Sequence, residues 1–176
     1  MWASMLEALR RRRASPEARL AEVGIARGMK VADIGAGYGY FAFPAAEMVG
    51  EGGTVYAVEP NPTRADEISR RAQERGIKNV EVLVSGAEDL SGIPSREVDA
   101  AISMSSFHHF ADPQVALLEL GRIVKPGGLI YVRDIKAGRL FKHGSRSEEF
   151  SRAISRQFPD AVFEEGSSYL VAKVGS

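Results

Sequence analysis

Five short apolar runs, at residues 31–34, 55–58, 80–84, 100–104 and 129–132, alternate with segments that carry helical patterning. That alternation permits few folds, because a strand, a helix and a second strand form a βαβ unit and successive units build a parallel sheet. The runs lack clean polar alternation, as expected of strands covered by helices on both faces. Segment 41–49 is apolar and helix-like. Residues 63–75 begin after Asn61-Pro62 and stop at Gly76, while 113–124 begin behind Asp112 with proline in the first position. In the latter helix Val115, Leu117, Leu118, Leu120 and Ile123 form the expected apolar stripe. Lys125-Pro126-Gly127-Gly128 then ends it and turns the chain into a strand.

Beyond Asp134 the spacing predicts a loop over 135–146 and a helix over 147–158. Two final runs, 161–165 and 168–174, meet at Gly166-Ser167, which is hairpin chemistry, so an antiparallel pair closes the sheet. At the other end, 1–13 and 16–23 read as helical pieces, with Ser15 as the cap of the second. We expect a single globular unit: residues 1–29 as a helical cap and 30–176 as the α/β domain.

Bulk properties narrow the chemistry. Lysine plus arginine equals aspartate plus glutamate at 23 each, so no global field draws in a nucleic acid or an anionic membrane, and extended nucleic-acid binding is disfavoured. No cysteine is present, which removes thiolate metal sites and thiolate nucleophiles and favours a reducing, cytoplasmic address. Neither a run of ~20 apolar residues nor a metal-ligand constellation is apparent, so no membrane or metal partner is expected.

The sharpest local signal is Asp33-Ile34-Gly35-Ala36-Gly37-Tyr38-Gly39, a glycine loop between the first strand and the helix after it. Ligands of open parallel sheets bind at such a turn. The spacing is G-x-G-x-G. A dinucleotide fingerprint needs its last glycine at 40, where Tyr40 stands, so a nicotinamide-dependent reductase is the weaker reading. Glu59 ends the second strand twenty residues after Gly39, where a carboxylate can accept hydrogen bonds from both hydroxyls of a ribose.

With Val58-Glu59-Pro60, Ala87-Glu88-Asp89-Leu90, Phe107-His108-His109-Phe110 and Val124-Lys125-Pro126-Gly127-Gly128-Leu129 in order behind that loop, the chain resembles the class I S-adenosylmethionine-dependent methyltransferases. Within them it is most similar to the small-molecule type that includes the menaquinone and ubiquinone C-methyltransferases. The resemblance covers about residues 30–134. It implies a doubly wound, Rossmann-like, seven-stranded and mostly parallel sheet whose last strand is antiparallel, with S-adenosyl-L-methionine as cofactor and S-adenosyl-L-homocysteine as product. It further implies that Gly35, Ala36, Gly37, Tyr38 and Gly39 lie against the methionine part, that Asp33 orders the loop, and that Glu59 binds the ribose. Pro60, Gly86, Ala87 and Glu88 would sit around the adenine, and Ser103 and Met104 would floor the methyl region. One departure is Gly86, where many relatives carry an acid; adenine recognition then rests on backbone groups, Glu88 or Asp89.

Methyl transfer from a sulfonium asks mainly for alignment and exclusion of water. A weakly acidic acceptor still gains from a base, and His108 and His109, just past the fourth strand, are the candidates. Their competing reading is structural, as a helix cap or packing beneath the cofactor. The absence of cysteine excludes the thiolate adduct used on pyrimidine carbon 5 and thiolate capture of arsenite, and no Asn/Asp-Pro-Pro-Tyr/Phe cluster for exocyclic amines is present. What remains is O-, N- or C-methylation of a small molecule, or of an accessible side chain or terminus. The arginine run 10–13, whose plainer reading is a solvated helix face, and the cluster Arg139, Lys142, His143 and Arg146 would suit an anionic acceptor or an RNA, and Tyr38, Tyr40, Phe107 and Phe110 would either wall the pocket or serve as core. The alternative of a different class is a non-catalytic S-adenosylmethionine-binding sensor or partner subunit.

Overall fold

The computed structural model describes residues 15–137, 144–166 and 169–175. Helix α1 (Pro16–Val23) opens behind Ser15, whose hydroxyl accepts from the Ala18 amide at 3.2 Å, as the sequence predicts. The segment 1–13, with its arginine run, lies outside the described residues, as do Arg139, Lys142 and His143.

From there strands and helices alternate: β1 (Lys30–Ile34), α2 (Ala42–Val49), β2 (Thr54–Val58), α3 (Pro62–Glu74), β3 (Val80–Leu83) and β4 (Val98–Met104). A short 3-10 turn (Phe107–His109), α4 (Pro113–Ile123), β5 (Val124–Ile135), α5 (Ser147–Gln157), β6 (Val162–Glu165) and β7 (Tyr169–Val174) follow among the described residues. The seven strands lie in one sheet in the order β3-β2-β1-β4-β5-β7-β6. The first five are parallel, and β7 runs antiparallel to both β5 and β6.

The sheet is covered on both sides. One face of β1, β2 and β4 buries Val31, Val55, Ala100 and Ile102 against Leu20 of α1, Ala42, Ala46 and Val49 of α2 and Ile68 of α3. The other face buries Ala32, Ile34, Ala101 and Val132 against Leu117 and Leu120 of α4 and Phe150 and Ile154 of α5. Double coverage is why the strands read as continuous apolar runs.

Three details depart from the sequence reading. In α4 the buried stripe is Ala116, Leu117, Leu120 and Ile123, while Val115 and Leu118 are exposed: the helix rolls to seat the small Ala116 against the sheet and leaves the two larger side chains on its flanks. Strand β5 begins directly after α4 and carries Lys125-Pro126-Gly127-Gly128 as a bulge, the pairing with β4 jumping from Val98–Val124 to Ala100–Leu129. Strand β3 ends at Leu83, and Val84 is exposed.

The topology fixes where a ligand goes. The chain winds outward from β1 through β2 to β3 and then returns to lay β4 on the other side of β1, so a crevice opens at the carboxyl ends of β1 and β4, where the order reverses. Phe150 is 1% exposed and stacks edge-on against Phe107 just beyond β4, so α5 braces the crevice from below. Replacing Phe150 with alanine should lower unfolding free energy by about 3–5 kcal/mol in urea melts; a loss under ~1 kcal/mol would show that α5 adds little to this core.

Candidate functional site

The glycine loop is tied to the end of β2 on its underside. The Gly35 and Ala36 amides both donate to the Val58 carbonyl at 2.9 Å, and the Gly37 amide donates to Glu59 Oε2 at 2.8 Å. Gly35 adopts φ +77°, and a Cβ on it would fall 2.4 Å from that of Ser106, so only glycine lets the loop pass this close to the segment behind β4. Gly37, at φ +60°, faces open space instead. Its bare backbone is presented to whatever enters the crevice.

Glu59 is 3% exposed although charged. Its second oxygen accepts from the Asn61 amide at 3.1 Å, and Arg64 Nη1 lies 3.8 Å away. Each carboxylate oxygen can accept a further hydrogen bond, so Glu59 holds the loop while keeping capacity for a ligand.

Two cavities meet at Gly35, Gly37 and Ser105. The first, about 590 Å³, is lined by Glu59, Pro60, Gly86, Ala87, Glu88, His109 and Phe110. The second, about 760 Å³, is lined by Asp33, Ala36, Tyr38, Tyr40, Met104 and, from flanking elements, Arg19 and Arg133. Of the residues the sequence singled out, these two hollows gather most. Gly39 lies apart, under the ring of Phe43. Ser103 is buried, its hydroxyl 2.8 Å from that of Ser106, which in turn donates to the Ile34 carbonyl at 2.7 Å. Phe107 belongs to the core and Phe110 lines the smaller cavity.

Gly86 packs under Glu88: a Cβ on it would meet Glu88 Oε2 at 2.6 Å. Glu88 Oε1 accepts from the Asp112 amide at 3.1 Å, so the acid lies across the rim of the smaller cavity and is tethered to the start of α4.

Asp33 is the electrostatic outlier. It is 2% exposed, and its Oδ2 has no hydrogen-bond partner among the described residues. Burial, and then the negative charge of Glu59, push its carboxyl up to about 7, against the Ala42 amide that hydrogen-bonds it. An unsatisfied buried acceptor costs about 1–3 kcal/mol, and a cationic donor entering the larger cavity would relieve it.

The histidines part company. His108 Nδ1 lies 2.7 Å from Asp134 Oδ1, and the other Asp134 oxygen accepts from Ser145 Oγ at 2.6 Å; Asp134 is wholly buried. His109 lines the smaller cavity, its ring centroid 4.0 Å from that of His108. Asp134, Ser145, Arg133 and Ser105 escaped the sequence reading. The adjacent charges Arg133-Asp134 at the end of an apolar strand were the available signal for the first and third. Ser105 had none: its φ of +62° is visible only in the fold.

Among the described residues no helix is long and apolar enough to cross a membrane, and no group of three or more histidine, aspartate or glutamate side chains is placed to hold a metal.

The raised Asp33 makes a signed prediction. Its ordinary value is 3.8 and its folded value about 7, so its stabilising contribution is complete below the former and lost as pH rises through the latter. As pH rises from 3.8 to about 7, the span between those two values, the melting temperature of the ligand-free protein should fall relative to that of Asp33→Asn. Parallel profiles would show that Asp33 is ionised throughout.

Comparison with known proteins agrees with this geometry. Residues 32–132 match the family model for a methyltransferase domain. Aklanonic acid methyltransferase DauC of Streptomyces sp. (strain C5) is 37% identical over 103 residues, 58% of this chain and 46% of its own. Ubiquinone/menaquinone biosynthesis C-methyltransferase UbiE of Serratia proteamaculans is 26% identical over 83% of this chain and 58% of its own. The chain therefore spans about half the length of the curated relatives it matches. The crystal structure of a SAM dependent methyltransferase from Aquifex aeolicus superposes with a TM-score of 0.76 at 27% identity, covering 92% of this chain and 91% of that one. With the motif order, the strand order and the family match in agreement, the chain belongs to the methyltransferase domain family, on the class I S-adenosylmethionine-dependent fold.

Proposed function

We propose that the protein binds S-adenosyl-L-methionine along the two joined cavities and passes its methyl group to O, N or C of a small-molecule acceptor, leaving S-adenosyl-L-homocysteine. The observation that carries this reading is the pairing of Glu59, clamped to the Gly37 amide, with an unpartnered Asp33 oxygen on the far side of the same glycine loop. Those two carboxylates meet the two polar ends of the cofactor, a ribose diol and an ammonium group. When bound, the cofactor supplies a sulfonium methyl group with a neutral thioether as leaving group.

The chain's own residues do the rest. Glu59 accepts from the ribose hydroxyls while Pro60, Gly86, Ala87 and Glu88 enclose the base. Asp33 anchors the ammonium, Ala36 and Tyr38 flank it, and Met104 floors the space beside it. Ser103 acts from behind, holding Ser106 in place. His108 lines neither cavity: its Nδ1 lies against Asp134, on the opposite face of the sheet from the larger cavity. His109, on the smaller cavity, is placed for the cofactor side. We infer that the network around His108 is structural: with Asp134 wholly buried and bonded to Ser145, it braces the turn after β4. Residues 1–29 would act as a cap, supported by α1, whose Leu20 and Val23 seal one sheet face while Arg19 reaches the larger cavity. We infer a cytoplasmic setting from the lack of cysteine.

Glu59→Ala should weaken S-adenosylmethionine binding by about 1.5–3 kcal/mol in calorimetry; unchanged affinity would remove it from the site. Binding should also release a proton near pH 6.5, about the range in which Asp33 titrates, seen as a dependence of binding heat on buffer ionisation enthalpy that Asp33→Asn abolishes. His108→Gln should lower the melting temperature with cofactor affinity unchanged, whereas a loss of about 10²-fold or more in methylation rate at an unchanged melting temperature would make His108 the proton acceptor instead.

A further inference from the structure

We propose that Arg133 is the anchor for a carboxylate on the methyl acceptor, so that the substrate class is a small molecule with an apolar body and an acid group. The inference rests on the donor reading above. Arg133 pairs in register with Met104 on β4, and both line the larger cavity. Its neighbour Asp134 points to the opposite face of the sheet, toward His108.

The guanidinium has no hydrogen bond or salt bridge among the described residues, and its Nε is buried without a partner. Among the described residues its specific side-chain contact is with Tyr169, whose ring centroid lies 4.8 Å from the guanidinium carbon. A cation–π contact holds the group over the ring and leaves its N–H donors unspent. Burial and then the positive charge of Arg19 press Arg133 below the usual guanidinium range against smaller opposing pulls from Tyr131, Tyr169 and Glu22, and among the described residues Glu22 is ion-paired to Arg19 rather than to Arg133. Asp33 is the one carboxylate lining this cavity among the described residues, and it lies on β1, two strands away, or about 10 Å across the sheet.

A half-buried cation with unspent N–H donors and no ion-pair partner among the described residues is matched by a planar carboxylate, which takes two parallel N–H donors from arginine's fork. The walls beside it, Tyr40, Phe41 and Met104, suit an aromatic or aliphatic body. Position argues for the acceptor over the donor. The groups suited to the cofactor are Glu59 and Gly37, just after β2 and β1, and Asp33 on β1, whereas Arg133 stands on β5 beyond β4. An acceptor held there lies across the end of β4 from the donor.

The test uses the full chain, 1-naphthoate and its neutral partner 1-naphthamide as probes, and ligand-observed NMR titration with and without saturating S-adenosylhomocysteine. The wild type should bind naphthoate about ten-fold or more tighter than naphthamide. Arg133→Gln should erase that preference while changing S-adenosylhomocysteine affinity by less than about two-fold. Arg133→Lys, which keeps the charge without the planar fork, should retain part of the preference and covers the case in which the glutamine variant fails to fold. Equal binding of the two probes by the wild type overturns the proposal. So does an Arg133→Gln protein that still prefers naphthoate but loses the homocysteine product, since the guanidinium would then grip the donor's own carboxylate. A wild type that binds no S-adenosylhomocysteine defeats the donor reading instead, and the probe preference of the cofactor-free protein still decides for or against Arg133.

Discussion

The bond between the Gly37 amide and the Glu59 carboxylate holds the site together. It joins the loop after β1 to the end of β2, and it does so from a position almost without solvent, where a charge is tolerated only if it is hydrogen-bonded. Because Glu59 is fixed at one end by this amide and at the other by Asn61, its remaining lone pairs point in set directions. Its charge also reaches Asp33 and helps keep that carboxyl protonated near neutrality. One buried acid thus shapes the loop, offers acceptors to a sugar and sets the ionisation of its neighbour.

Strand β5 has a comparable share on the other flank. Its bulge over Lys125–Gly128 sets the register that brings Arg133 opposite Met104, and the pleat then sends Arg133 and Asp134 to opposite faces. One charge faces the larger cavity, and the other locks a histidine and a serine. A register slip by one residue would exchange these roles.

The sequence carried the sheet because its strands are buried on both faces: Val31, Ala32, Val55, Val58 and Ile102 are almost wholly inaccessible, and no polar alternation competes with the apolar run. The glycine loop and Glu59 were legible for a similar reason, being constrained by neighbours in the chain. What escaped depends on partners far away. Asp134 meets His108 across 26 residues and Ser145 across 11, and Arg133 acquires meaning only through the pairing of β5 with β4 and β7. Local pattern also overstated Val115 and Leu118, since a helix with apolar residues on most sides does not reveal which of them the sheet will take.

Ser105 closes the floor where the two cavities join, in a left-handed conformation that a side chain adopts at a cost of about 1–3 kcal/mol. Evolution could remove that strain in a single step by placing glycine there. The chain would gain stability, and the partition between the two lobes would lose its rigidity. Durability of the fold and definition of the crevice therefore pull in opposite directions at residue 105.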